Sequence, residues 1–155
     1  MQLGFSPISL LFLAMLFVPN IMWARHLPEG YAEISKNKSR VLLALERVGE
    51  VATSCCAVIF VCPQGLSFPW VLWLCAAFLL MVLYEIAWAR YFADSGKLVD
   101  MYAPLGPISI PLASLPVVAF LLLGMWYASP IAVAAAIVLG VGHIGIHLKH
   151  VRELG

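Results

Sequence analysis

The sequence predicts an all-α integral membrane bundle of five transmembrane helices, one domain over residues 1–155. Three observations carry that expectation. The 155 residues are 63% hydrophobic and 11% charged, with mean hydropathy +0.98, whereas soluble domains are about 45–50% apolar and about 25% charged. A folded chain this short keeps much of its surface in contact with solvent, so such content asks for a solvent other than water. The apolar residues also fall into five runs of about 20, the length that crosses about 30 Å of hydrocarbon. Lys and Arg, in turn, gather in alternate connections, as in multi-pass proteins.

The first run, about 3–23, has neither a basic leader nor a small-x-small cleavage site, and so reads as a span and not a signal peptide. Ser6-Pro7 is a helix cap followed by a first-turn proline, and Pro19, beside Asn20, is expected to disturb the helix end. The second run, 41–62, is interrupted by Glu46, Arg47 and Glu50. The third, 70–92, carries Glu85 and closes on Arg90-Tyr91-Phe92. The fourth, 104–128, holds Pro104, Pro107, Pro111 and Pro116, so regular helix is expected only from about Leu112. The fifth, 130–148, opens on Ser129-Pro130, a second cap-and-proline start.

Eight of the nine Lys and Arg lie in connections 24–40 and 90–103 or in the tail, the ninth being Arg47. The positive-inside rule then places the N-terminus outside and the C-terminus in the cytoplasm, in a plasma membrane. The cluster Lys36-Asn37-Lys38-Ser39-Arg40 anchors that side and attracts anionic lipid. With a net charge of +1 and no basic stripe, the chain is not a nucleic-acid binder. Cys55, Cys56, Cys62 and Cys75 form neither a CxxC pair nor a zinc spacing and read as core packing. If the second and third helices formed a hairpin near Leu66, Cys75 would come level with Ala57 and approach Cys55 or Cys56.

Helix rise sorts the polar residues by depth. At about 1.5 Å per residue, Glu46 lies about 9 Å in from Arg40 and Glu50 about 15 Å, with Glu85 and His143 at comparable depth. Asn20, His147 and the proline-rich start of the fourth helix fall in the same inner layer, leaving the outer half apolar. Glu46, Glu50, Thr53 and Ala57 follow helical spacing on one face. Ala132, Ala136, Gly140, His143, His147 and His150 form another, whose small residues permit close helix approach. Tyr84, Trp88 and Tyr91 make an aromatic stripe beside Glu85; such stripes are commonly core or interfacial. Three carboxylates against Arg47 leave a charge deficit, and each buried charge costs about 2.5–3.5 kcal/mol at the helix centre. Protonation, a bound cation or a wet vestibule would each offset it.

The candidate pocket is therefore Asn20, Glu46, Arg47, Glu50, Tyr84, Glu85, Trp88, His143 and His147, facing the cytoplasm. Four prolines in thirteen residues also free backbone carbonyls there, tolerated at depth only against protein or water. Glu46, Glu50, Glu85, His143 and His147 could hold a divalent metal such as zinc, manganese or iron. An ionisable site without metal and a structural hydrogen-bond network stand beside that reading. A b-type haem does not fit, because His26 is the sole histidine outside the fifth helix and its tail. Gly140-Val-Gly-His-Ile-Gly145 matches GxGxxG, but no strand precedes it, so it reads as helix packing.

Pro19-Asn20 with Trp23, Leu45-Glu-Arg-Val-Gly-Glu50, Arg90-Tyr-Phe92, Pro111-Leu-Ala113 with Pro116-Val117, and Gly142-His-Ile144 resemble a family of small bacterial five-helix membrane proteins of unassigned activity. The resemblance implies the five-helix layout and carries over no catalytic role. Three functions stay open. The first is a membrane protein whose pocket binds a small cationic, metal or amphipathic ligand, with a link to transport. The second is an enzyme acting on an inner-leaflet lipid or isoprenoid, and the third a helper subunit of a membrane complex. No protein partner is specified, and the bilayer is the one certain surround.

Overall fold

The computed structural model describes residues 2–36, 39–94 and 96–154. Among these residues the fold is all-helical but for one short ladder. Strand β1 (Gln2–Leu3) pairs antiparallel with β2 (Phe60–Val61), Leu3 opposite Phe60. The long helices are α1 (Pro7–Arg25), α3 (Arg40–Ile59), α4 (Val71–Ala93), α6 (Pro111–Trp126) and α7 (Pro130–Leu154). Two short ones, α2 (Tyr31–Ser35) and α5 (Leu98–Met101), lie in the connections. Three helices, α1, α4 and α7, are long and apolar enough to cross a membrane, and α6 is a shorter apolar helix. Both expected caps form: Ser6 Oγ accepts from Ser9 N at 3.5 Å, and Ser129 Oγ from Ala132 N at 3.2 Å.

The long helices close into a ring. α3 lies along α7, α7 against α6 and α6 against α4, while α1 touches both α4 and α3 more lightly. Small residues set the tightest crossing. A Cβ on Gly49 would overlap the Leu139 backbone, and one on Gly142 would lie 2.7 Å from Glu46 Cα, so neither position admits a side chain. Inside the ring, Phe12, Ala77, Met81, Ala119, Leu123 and Ala136 are sealed from solvent. Large apolar side chains such as Leu11, Leu72, Leu79, Ile86, Ile131 and Ile137 face outward instead. Apolar residues on both surfaces suit a bundle solvated by lipid.

The two ends differ. At one, Trp70 Nε1 donates to Trp126 O (2.7 Å), Trp126 Nε1 donates to Gly65 O (3.1 Å), and Ser9 Oγ meets Tyr127 Oη (2.7 Å). Segments 2–6, 60–70 and 127–130, which make up this end, contain no charged residue. At the other, Arg90 donates to Ala103 O and Pro104 O (2.7 and 2.9 Å), and Tyr102 Oη meets His150 Nδ1 (2.9 Å). Lys36 and Arg40 belong to this second end; Asn37 and Lys38 of the basic cluster lie outside the described residues.

Several expectations need correction. α1 runs through Pro19 to Arg25, two residues beyond the expected end, and Asn20 Nδ2 donates to Leu16 O (2.6 Å) beside the proline. The fourth run becomes regular helix only from Pro111, within a residue of the expected start near Leu112 and not from 104. The preceding residues turn back on themselves, with reciprocal Leu105–Ile108 backbone bonds (2.9 and 3.1 Å) around Gly106 at φ 58°. α3 stops at Ile59, where the chain leaves for the β-ladder, and α7 continues six residues beyond 148. α3 and α4 are no hairpin, since α3 is packed on α7. All four cysteines are therefore free, and Cys56 alone is buried, with Cys55 and Cys75 on the outer surface.

Candidate functional site

The ring encloses a cavity of about 240 Å³ walled by α1, α3, α4, α6 and α7. Its polar side is made where α3 and α7 cross. Gly142 brings the α7 backbone against that of Glu46, and His143, the next residue, then reaches Glu46 directly. His143 Nδ1 and Glu46 Oε1 are 2.7 Å apart, with side chains 27% and 15% exposed. One turn on, His147 stacks edge-on to His143, ring centroids 4.5 Å apart. Glu46, His143 and His147 each offer one donor atom, all within 4.8 Å of one another.

The remaining wall is aromatic and aliphatic. Tyr84 and Trp88 of α4 pack edge to face, and Tyr84 Oη accepts from Asn20 Nδ2 at 2.7 Å. Asn20 thus ties α1 to α4 while its amide also supports the proline turn. Trp23, Phe17 and Leu16 of α1 face Pro116, Val117 and Phe120 of α6 across the cavity. Arg47 and Glu50 pair at 3.5 Å, their side chains 72% and 41% exposed, and mark the rim.

Of the nine residues singled out from the sequence, Asn20, Glu46, Arg47, Glu50, Tyr84, Trp88, His143 and His147 line this one cavity. Glu85 does not. It lies two turns from Phe78 on the stripe of α4 that meets Phe12 of α1, about 100° around from Tyr84. Its Oε1 is buried there with no hydrogen-bond partner among the described residues. Of the five candidate metal donors, Glu85 and Glu50 are not brought together with Glu46, His143 and His147: Glu85 is on another face, and Glu50 turns to Arg47 at the rim.

Beyond His147 the polar line continues towards the charged end. His147 faces His150 (5.8 Å) and Tyr102 (5.7 Å), and Tyr31 stands edge-on to His150 (6.2 Å) and Trp23 (4.7 Å). Burial first, and then neighbouring Tyr31, pushes the Tyr102 hydroxyl well above the ordinary tyrosine range, so it stays protonated. Tyr31 and Tyr102 were missed because they lie in connections, where no periodicity marks a face. His150 was visible as the next member of the histidine stripe. The apolar wall, Leu112 and Leu139 included, is indistinguishable in sequence from lipid-facing residues.

The site combines one carboxylate, two imidazoles, an amide and aromatic faces in a space of several water volumes. Compared with protein-family models, curated proteins and solved structures, the chain matches none.

Proposed function

We propose that this chain is a five-span plasma-membrane protein that binds a small amphipathic or cationic ligand in the cavity within its helix ring. In this reading α3 and α6 complete the spans begun by α1, α4 and α7. α3 is 20 residues, about 30 Å of helix, and it turns Glu46 towards α7 and the cavity, with Arg47 and Glu50 at the rim. α6 is 16 residues, and the turn before it makes up the remaining depth. The charged end is cytoplasmic and the charge-free end external, so the polar wall sits in the inner half of the membrane.

The observation that carries the reading is the Glu46–His143 pair set into the wall of a hollow otherwise lined by aromatic and aliphatic groups. Few polar groups in a mainly apolar hollow are the usual make-up of a small-ligand site. A cationic or hydrogen-bonding end meets Glu46 and the faces of Tyr84 and Trp88, and an apolar portion meets Leu16, Phe17 and Phe120. An enzyme acting on an inner-leaflet lipid is the second reading, favoured by the exposed Arg47 at the rim, a ready partner for a phosphate head group.

Trp23 and Trp88 line the cavity and report its occupancy. Detergent-purified protein is titrated with amphipathic amines and with neutral and anionic amphiphiles, reading tryptophan fluorescence and thermal unfolding. The expected result is saturable quenching by one class, lost in Val117→Phe, which fills the hollow. Quenching that never saturates, or that Val117→Phe leaves unchanged, overturns the proposal.

A further inference from the structure

Glu46, His143 and His147 present three donor atoms of a kind and spacing that suit one ion. Two imidazoles and a carboxylate are a donor set favoured by zinc and by iron(II), and one rarely used for magnesium or calcium, which prefer all-oxygen shells. We propose that these three residues hold a divalent first-row transition-metal ion whose open coordination position faces the cavity. The inference rests on the pocket reading above and names the chemistry at its polar end.

Geometry supplies the argument. Zn–N and Zn–O bonds of about 2.0–2.2 Å place tetrahedral donors about 3.3 Å apart. The 2.7 Å Glu46–His143 contact must open by about 0.6 Å, and the 4.8 Å envelope of all three donors must close by about 1.5 Å. Side-chain rotation does both, since His143 and His147 are successive members of one α7 face and the backbone of Glu46 is locked beside Gly142. A proton lies between Glu46 Oε1 and His143 Nδ1 in the hydrogen-bonded state. The ion takes its place, and that proton moves to His143 Nε2 or to solvent.

Three protein donors leave at least one position for water or ligand, the arrangement of an open rather than a purely structural metal site. Asn20, Tyr84 and Trp88 line the same cavity as these donors. A ligand with a carboxylate, hydroxyl or amine end can then bind the ion while its apolar portion lies along the α1 and α6 walls. A dication against Glu46 turns this wall from anionic to cationic, so, of the ligand ends above, the metal-loaded pocket takes the anionic or neutral hydrogen-bonding ones, with Glu50 and Arg47 outside the shell at the rim.

The test uses the whole chain, purified in detergent without chelator and, in parallel, stripped and reloaded with Zn²⁺ or Co²⁺. Bound metal is counted by mass spectrometry, and Co²⁺ absorption reports its coordination. Wild type, Glu50→Gln and Glu85→Gln are expected to hold about one ion per chain, with the visible bands of four- or five-coordinate cobalt. Glu46→Gln and His143→Gln are expected to lose it, His143→Gln having kept a side chain able to hydrogen-bond Glu46. Substoichiometric metal in reloaded wild type overturns the proposal, as does full retention in Glu46→Gln and His143→Gln, or an octahedral all-water cobalt spectrum. If amphiphiles quench Trp23 and Trp88 in chelator-treated protein that takes up no ion, the metal inference fails while the pocket stands. An ion that binds without any amphiphile following it overturns the pocket reading alone.

Discussion

Gly142 of α7 rests against the backbone of Glu46 on α3 so closely that a Cβ at 142 would lie 2.7 Å from Glu46 Cα and overlap its nitrogen. This contact places the polar wall of the cavity, because His143 follows Gly142 directly. Gly142→Ala must push the two backbones apart, and overpacking of this kind costs about 1–3 kcal/mol. At Gly145 a Cβ would meet only the flexible tip of Leu42, at 3.1 and 3.3 Å. Thermal unfolding in one detergent should therefore rank Gly142→Ala well below Gly145→Ala; equal midpoints would show that the crossing relaxes freely.

The Glu46–His143 contact joins partners 97 residues apart in sequence. Hydrogen bonds involving a charged group contribute about 1.5–3 kcal/mol when screened from water. A double-mutant cycle of Glu46→Gln and His143→Ala is expected to return a coupling in that range. The value should change little with added salt, as both side chains are largely covered. The Arg47–Glu50 pair, longer at 3.5 Å and on the open rim, should give a smaller coupling in the same assay.

Asn20 follows Pro19 within α1 and bonds on two sides. Proline removes one amide donor and opens the turn around it, and the Asn20 side chain donates to Leu16 O (2.6 Å) on that turn and to Tyr84 Oη (2.7 Å) of α4. Asn20→Ala should destabilise the protein by about 1–2 kcal/mol, the scale of losing a part-buried hydrogen bond and stranding its partner. In a Pro19→Ala background, where the helix makes its own bonds, the same change should cost less. Strict additivity in unfolding measurements would refute this coupling between the two residues.

The helices and their polar layer were legible in the sequence because their periods and charges are local properties. Neighbour choice was not. A glycine such as Gly49 or Gly142 reads alike whichever helix it receives, so α3 against α7 was invisible and a hairpin with α4 looked equally natural. Glu85 shows a second limit. Its depth followed from helix rise, yet its face depended on which side of α4 meets α1, and contacts between distant residues such as Phe12–Phe78 and Asn20–Tyr84 decide that. Similarly, the bonds that Asn20 makes beside Pro19 are a matter of side-chain placement, which the sequence does not show.

Tyr102 gives the protein an alkaline limit. Its hydroxyl is held neutral in the fold by burial and by Tyr31, while in the unfolded chain it ionises near pH 10. The native state therefore binds the proton more tightly, and stability falls as pH rises through the unfolded value. The Tyr102–His150 bond (2.9 Å) is lost with it. Between pH 8 and about 11, wild type should lose unfolding temperature more steeply than Tyr102→Phe, which has nothing to ionise at 102. Parallel curves would place the alkaline transition elsewhere.

The asymmetry of the two ends predicts how the chain sits in its membrane. Segments 2–6, 60–70 and 127–130 hold no charge, whereas Arg25, Lys36, Arg40, Arg90, Lys97 and Arg152 are at or beside the opposite end. Moving that many basic residues across the bilayer is strongly disfavoured, so the charge-free end should be external. Two exposed or part-exposed loop positions test it in a variant lacking the four native cysteines: Gln64→Cys between α3 and α4, and Ser35→Cys at the end of α2. A membrane-impermeant maleimide applied to intact cells should label position 64 and reach position 35 only after lysis. Labelling of 35 in intact cells, with 64 protected, would invert the topology and turn the polar wall of the cavity towards the outside.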